Sequence, residues 1–313
     1  MGSFLLTGAS GFIGRGVFQQ LIGCGIPVRP VYRSAAQAAC VVGAVVVSDL
    51  EEDTDWTAAL QGVDVVIHTA ARAHIMRDEA LDPLTEYRRV NVVGTLNLAR
   101  QAVAAGVKRF VFVSSVGVNG IATYGKPFTS DDVPSPEGPY ALSKWEAEQG
   151  LCSIAAQTGL EVVIIRPPLV YGPQAPGNFG RLVSAVRRGV WLPLGAVHNR
   201  RTLVALGNLV DLIALCAKHP AAANQVFMAG DAEDVSTTLL LQRIGQAVGY
   251  PARLLPVPVS LMRAGATLLG KAQVVDKVCG DLQVDIGRAR ALLGWMPPVD
   301  MQTAMRSLSG EGL

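Results

Sequence analysis

Charge is scarce in this 313-residue sequence: 17% of its residues are Asp, Glu, Lys or Arg, against ~25% in ordinary soluble chains. Lys and Arg form no dense run and the formal net charge is +2. Both observations argue against a nucleic-acid footprint or a basic membrane-surface patch. No apolar stretch reaches the ~18 residues of a spanning helix. The cysteines Cys24, Cys40, Cys152, Cys216 and Cys279 are odd in number and never spaced as CxxC. They read as free thiols in a reducing compartment, not as a disulfide framework. There are four histidines, and only His68 and His74 lie near each other in sequence, so no metal site is expected. The first apolar stretch lacks a basic leader and runs directly into a glycine loop, unlike a signal peptide. A cytoplasmic location with no nucleic-acid or membrane partner is the expectation.

Apolar residues, by contrast, make up half the chain, and glycine occurs 33 times. The length allows one large domain or two smaller ones. Short β-branched runs alternate with helical patterns. Phe4–Leu6, Val28–Tyr32, Ala44–Val47, Val63–His68, Arg109–Ser114 and Leu160–Arg166 read as strands buried on both faces. Helices are predicted over 12–22, 84–105 and 140–157, and a Gly/Pro-rich loop over 117–139. After Pro167 prolines multiply and the segments shorten. The pattern predicts an α/β protein: a Rossmann-like doubly wound parallel sheet over 1–166, with a smaller C-terminal substrate-binding region over 167–313. Such sheets bind ligands at the carboxyl ends of their strands, so the residues following each strand carry the chemistry.

Thr7-Gly8-Ala9-Ser10-Gly11-Phe12-Ile13-Gly14 lies between the first strand and the first helix. Glycines there let the backbone approach a pyrophosphate, and the helix N-terminus offers free N–H groups. Tyr140 and Lys144 are four apart on a predicted helix and share one face. A free tyrosine, with pKa ~10, is a poor base near neutrality. A nearby ammonium and an oxidised nicotinamide ring both favour the phenolate. Lys144 can also hold the nicotinamide ribose. Ser115, at a strand end, can bind the reacting oxygen of a substrate. The second strand ends at Tyr32-Arg33 with no acidic residue near. Arg33 suits a 2′-phosphate and favours NADP over NAD, or it stacks on the adenine.

The GxxGxxG spacing resembles the extended short-chain dehydrogenases/reductases, the NAD-dependent epimerase/dehydratase family. Further matches follow in order as far as residue 173: Asp49-Leu50, His68-Thr69-Ala70-Ala71, Asn91-Val92-Val93-Gly94-Thr95, Ser114-Ser115, Tyr140-Ala141-Leu142-Ser143-Lys144, and Arg166-Pro167 with Val170-Tyr171-Gly172-Pro173. The resemblance implies catalysis by Ser115, Tyr140 and Lys144. It implies a cofactor site from Gly8, Ser10, Gly11, Phe12, Ile13, Gly14, Arg33, Asp49, Leu50, Ala70, Ala71, Asn91, Ser114, Tyr140, Lys144 and Pro167. A UDP-sugar would meet His74, Ser115, Val116, Asn178 and Arg201, the arginine contacting the diphosphate; otherwise Arg201 is a cation at a strand start. A homodimer through the long helices is also implied, with Trp145 and Leu151 as candidate contacts.

Departures from the family refine the expected reaction. Ser115 is followed by Val116 and Gly117, which transfer no protons, where sugar-nucleotide dehydratases carry acids. That leaves 4-keto-reductases and 4-epimerases. Residues 70–76, 118–120 and 137–140 resemble bacterial surface-polysaccharide enzymes. These include the reductases of UDP-4-keto-6-deoxy-N-acetylhexosamines, and with Arg33 they make reduction the first expectation. The alternative is a UDP-glucose or UDP-N-acetylglucosamine 4-epimerase. A steroid dehydrogenase or a non-catalytic dinucleotide sensor fits less well, since a sensor typically lacks the Tyr/Lys pair.

Overall fold

The computed structural model describes residues 2–73, 82–268, 270 and 272–309. Its strands are β1 Ser3–Thr7, β2 Val28–Tyr32, β3 Val45–Val46, β4 Val63–His68, β5 Arg109–Val113, β6 Glu161–Arg166, β7 Leu169–Tyr171, β8 Arg201–Ala205, β9 Val226–Met228 and β10 Asp234–Val235. Seven of them make one parallel sheet in the order β3-β2-β1-β4-β5-β6-β9. The chain winds outward from β1 to β3, then returns on the other side of β1 at β4. Strand order therefore reverses between β1 and β4, where a sheet of this kind opens its ligand crevice.

The near-continuous apolar strands follow from helices on both faces. Side chains alternate along a strand, so Phe110 and Phe112 of β5 join one core with Leu98, Ala102 and Leu151. Val111 and Val113 of the same strand join the opposite core with Val17, Leu21 and Leu209. The helix predicted over 84–105 is found as helix Pro83–Arg88, a π-helical turn Arg89–Gly94 and helix Thr95–Ala104. Asp82 caps its start, accepting from the amides of Leu84 and Thr85 at 3.1 and 3.3 Å. Helix Pro139–Thr158 begins on proline and stops at Gly159, which is left-handed with φ 75°.

The chain interleaves across residue 166. β9 pairs with β6, and helix Leu206–Cys216 packs on helix Phe12–Gly23 against the first sheet. The remaining strands form a second sheet in the order β10-β8-β7. It packs over a separate core that includes Tyr171, Phe179, Leu203, Leu241 and Ile244. No helix among the described residues is long and apolar enough to cross a membrane.

Candidate active site

The glycine loop closes tightly because two positions exclude side chains. Gly8 is left-handed, φ +71°, and a Cβ there would come within 2.7 Å of the Ala70 amide nitrogen. A Cβ on Gly14 would sit 2.0 Å from the Gly8 carbonyl oxygen. Helix Phe12–Gly23 can thus start directly under the turn. No side chain caps it, so its first amides lack intrahelical acceptors and carry the positive end of the helix dipole. Uncapped amides behind a cradle that a Cβ would fill suit a dinucleotide pyrophosphate.

A cavity of about 440 Å³ opens in front of this turn, at the carboxyl ends of β1, β2 and β4. Of the expected cofactor residues, Gly8, Ser10, Gly11, Arg33, Asp49, Leu50, Ala70 and Ala71 line it. Tyr32, Trp56, Glu51 and Arg89 line it too, and sequence reasoning missed them. Arg89 reaches the wall from the π-helical turn and is held by ion pairs to Glu51 and, at 2.9 Å, Glu86. Such a helical irregularity is invisible in hydrophobic periodicity.

Phe12 and Ile13 turn their side chains into the cores, leaving only backbone for a ligand. Asn91 acts at one remove. Its carboxamide accepts from the Arg72 amide at 2.8 Å and donates to the Arg72 carbonyl at 3.1 Å and to Ser143 Oγ at 3.0 Å. It clamps the loop after β4 to helix Pro139–Thr158. Beneath that loop His68 is buried between two threonine hydroxyls, with Thr7 Oγ1 2.6 Å from Nδ1 and Thr95 Oγ1 3.0 Å from Nε2. Burial, reinforced by the charge of Lys144, pushes the His68 pKa down to about 3. An unfolded histidine binds its proton near pH ~6.5, so between those values the unfolded chain holds more protons than the folded one. Stability should therefore fall by up to about 1.4 kcal/mol per pH unit on acidification through that window. Urea midpoints for the parent and His68→Gln check this; equal pH slopes would refute it.

The catalytic candidates lie just after β5 and on the first turns of helix Pro139–Thr158. Ser115 Oγ accepts from the Gly117 amide at 3.1 Å. A Cβ on Gly117 would lie 3.3 Å from Ser115 Oγ and 3.4 Å from Ala141 Cβ, so that glycine is the joint between strand end and helix start. Tyr140 is half-buried with the Tyr87 ring edge-on at 6.0 Å. Lys144, one turn on, is buried with Nζ 3.9 Å from the centre of the Phe112 ring. Burial pushes the Tyr140 phenol up to about 12, helped by Tyr87, and pushes the Lys144 ammonium down to about 7 against the charge of Glu148. Burial therefore holds the Tyr140 phenol protonated in the protein alone, and the lowering expected from Lys144 together with an oxidised nicotinamide ring is not present there.

Behind the pair lies a buried network not anticipated from sequence. Ser114 Oγ donates to Glu148. Arg166 clasps Glu148 through Nη2 at 2.5 Å and Nε at 3.1 and 3.2 Å, and its Nη1 donates to Asn119 Oδ1 at 3.0 Å. Glu148 sits one helical turn beyond Lys144, and an acid on a buried face was the available signal, because buried charges require partners. Ser114 thus serves this network. Val116 is buried in the core, its amide donating to the carbonyl of buried Pro167 at 2.9 Å.

The substrate candidates come from separate elements. His74 lies outside the described residues. Asn178 is exposed on the first turn of helix Gly177–Arg187. Arg201, at the start of β8, donates through Nη1 to the carbonyls of Lys277 at 2.9 Å and Gly280 at 3.1 Å. Leu151, a candidate dimer contact, is buried inside its own chain, so it cannot meet a partner. Among the described residues no group of His, Cys, Asp and Glu is placed to hold a metal.

A parallel sheet with a glycine-walled cleft at its switch point, and a Ser, Tyr, Lys cluster at the end of β5, defines an enzyme of the short-chain dehydrogenase/reductase class. Residues 4–230 match the NAD dependent epimerase/dehydratase family, and the chain belongs to it. It is 44% identical, over 97% of its length and 93% of the relative's, to a Vibrio cholerae protein named UDP-glucose 4-epimerase. It is 29% identical, over 98% of its length and 94% of the relative's, to an Escherichia coli O157:H7 4-epimerase of N-acetyl-alpha-D-glucosaminyl-diphospho-ditrans,octacis-undecaprenol. The fold is shared with the UDP-glucose 4-epimerase of Thermus thermophilus solved with NAD, at TM-score 0.79 and 24% identity over 98% of each chain. The Thermotoga maritima UDP-glucose 4-epimerase solved with UDP-glucose gives 0.78 and 22% identity over 98% and 97%.

Proposed function

We propose that this chain is a UDP-sugar 4-epimerase that uses NAD. The observation that supports the reading is that Gly117 sits between Ser115 Oγ at the end of β5 and Ala141 beside Tyr140, while Lys144 Nζ lies over Phe112 of β5, with only Val116 and Gly117 following the serine. This equipment suits transfer of a proton and a hydride at one carbon but not loss of water. The full-length likeness to a Vibrio cholerae UDP-glucose 4-epimerase supports it. Bound NAD would supply a reversible hydride acceptor. Gly8, Gly11 and the amides of Phe12 and Ile13 would hold its pyrophosphate, Asp49 and Leu50 its adenosine end, and Lys144 its nicotinamide ribose.

Tyr140 Oη takes the proton of the sugar 4-hydroxyl during oxidation and returns it during reduction from the other face. Ser115 Oγ hydrogen-bonds the same oxygen. In the protein alone the phenol is held protonated, so the phenolate draws its stabilisation from the positive nicotinamide ring and acts as base only with oxidised cofactor bound. Arg201, with donors beyond Nη1, is proposed to meet the diphosphate.

NAD is proposed over NADP because Arg33 shares its cavity with Asp49 and Glu51, whose carboxylates oppose a 2′-phosphate. Structures of similar fold that hold NAD agree. Reduction of a UDP-4-keto-6-deoxy-N-acetylhexosamine, first expected from sequence, becomes the second reading, since the full-length relatives are named 4-epimerases. A surface-polysaccharide role remains compatible with both. We also propose a homodimer through helices 83–104 and 139–158, which lie side by side with Arg88 bridging to Glu146 at 2.5 Å.

Purified enzyme incubated with UDP-glucose or UDP-N-acetylglucosamine and NAD should interconvert the 4-epimers with no net change in nicotinamide absorbance. Turnover restricted to a 4-keto sugar, with stoichiometric loss of NADPH, would replace this reading with the reductase.

A further inference from the structure

Charge is no denser in the segments 177–203 and 250–279 than elsewhere, but there it is almost all of one sign. Together they hold nine of the chain's 27 Lys and Arg but one of its 25 Asp and Glu. The fold joins them. Leu192 and Leu254 form a parallel bridge, extended by Leu192 N to Arg253 O and Gly195 N to Leu255 O, each at 2.9 Å. The chain then rises into a helical hairpin, Val259–Leu268 and Ala272–Cys279, whose helices bury no residue and pack mainly on each other. Its far end is tied down again beside Arg201, by the Arg201 bonds and by Asn199 Nδ2 donating to the carbonyls of Val278 and Gly280 at 3.2 and 2.9 Å.

This edge exposes large apolar side chains: Trp191 is 59% exposed, Leu261 63%, Leu268 90% and Val274 58%. The one carboxylate within these segments, Asp276, is taken by Arg263 at 2.6 Å across the hairpin, and Asp281 just beyond them accepts from the Arg200 amide at 2.7 Å. Arg253 stacks over Trp191, 5.7 Å from the ring centre, and Lys277 is exposed. Leucines with an interfacial tryptophan, fringed by cations on long apolar stems, match the chemistry of an anionic bilayer surface.

We propose that the helices Val259–Leu268 and Ala272–Cys279 and the adjoining Trp191–Arg253 edge dock this protein on an anionic lipid surface. A second copy is disfavoured because two such edges would oppose like charges. A nucleic acid would leave Leu261 and Leu268 uncovered. The proposal concerns attachment at a surface, which needs no spanning helix, and does not depend on which sugar is turned over.

The test is sedimentation of the full chain with vesicles of phosphatidylcholine alone or with one third phosphatidylglycerol. The parent should sediment with the anionic vesicles, not with the neutral ones, and be released by high salt as screening removes the charge contribution. Leu261→Ser with Leu268→Ser should lower the bound fraction about tenfold or more. Arg253→Glu should do the same while leaving the leucines intact. All are exposed positions, so thermal midpoints should match the parent's. No binding to anionic vesicles, or equal binding by the variants, overturns the proposal. So does a dimer in light scattering that the leucine variants dissolve, because the face would then belong to a second copy.

Discussion

Replacing Tyr140 by phenylalanine is expected to lower kcat by about 10²–10⁴-fold, the usual contribution of a positioned acid/base. The change removes one oxygen from a half-buried ring that keeps its edge contact with Tyr87, so folding should be spared. The dinucleotide cleft is walled by other residues, so NAD affinity should stay within a few-fold of the parent. Stopped turnover with retained binding, measured by coupled assay and by fluorescence titration of the dinucleotide, is the signature. A variant that keeps parental kcat removes Tyr140 from the chemistry, and one that loses both activity and binding makes it structural. Lys144→Met should behave differently, weakening NAD binding as well, because its ammonium lies between the ring of Phe112 and the proposed nicotinamide ribose.

The second large effect is expected at Glu148. Its carboxylate and the Arg166 guanidinium are 1% and 3% exposed, and removing one partner of such a pair strands the other charge. Glu148→Ala should cost about 3–5 kcal/mol. For a chain of this length that is a fall of about 6 °C in the melting midpoint. The paired change Glu148→Met with Arg166→Met should recover much of the loss, since an apolar pair leaves no buried charge. Calorimetry on the three variants decides the matter. A double variant no better than Glu148→Ala would mean that the hydrogen bonds to Ser114 and Asn119, and not the uncompensated charge, dominate. Ser114, Asn119, Glu148 and Arg166 link β5, the loop after it, the catalytic helix and β6. Their loss should also disorder the ground beneath Ser115.

Much of the fold was legible because period and punctuation agreed. β2, β4 and β6 lie within a residue of their predicted limits, and the helix under Tyr140 and Lys144 gained one residue at each end. A four-residue spacing on a helix is local, so the Tyr/Lys relation needed no tertiary knowledge. The glycine loop was legible for the same reason, since steric exclusion at Gly8 and Gly14 acts within one strand–turn–helix unit and the facing Ala70. The extent of β3 was not, because a two-residue edge strand has little alternation to read.

What local pattern could not give were the relations spanning long intervals of chain. Glu148 reads as one more surface acid until Arg166 and Ser114 close over it. Asn91 reads as a ligand residue until its amide is found clamping Arg72 to Ser143. Arg33 reads as a phosphate partner until Asp49 and Glu51, from another loop, are seen in the same wall. Tyr140 moved up and Lys144 down because burial, a property of the packed molecule, disfavours the charged form of each.

The amino-acid sequence by itself determined the sheet class and the close glycine turn after β1, and it placed Tyr140 and Lys144 on one helix, all of which depend on short-range sterics and helical spacing. Only the tertiary structure decided which charges are buried, which are neighbours and which are left facing outward. The scarce charge that first argued against any surface patch is an average over the chain. Folding sets Leu192 beside Leu254 and Arg201 beside Lys277 and Gly280, and electrostatic fields depend on distance through space and not along the backbone.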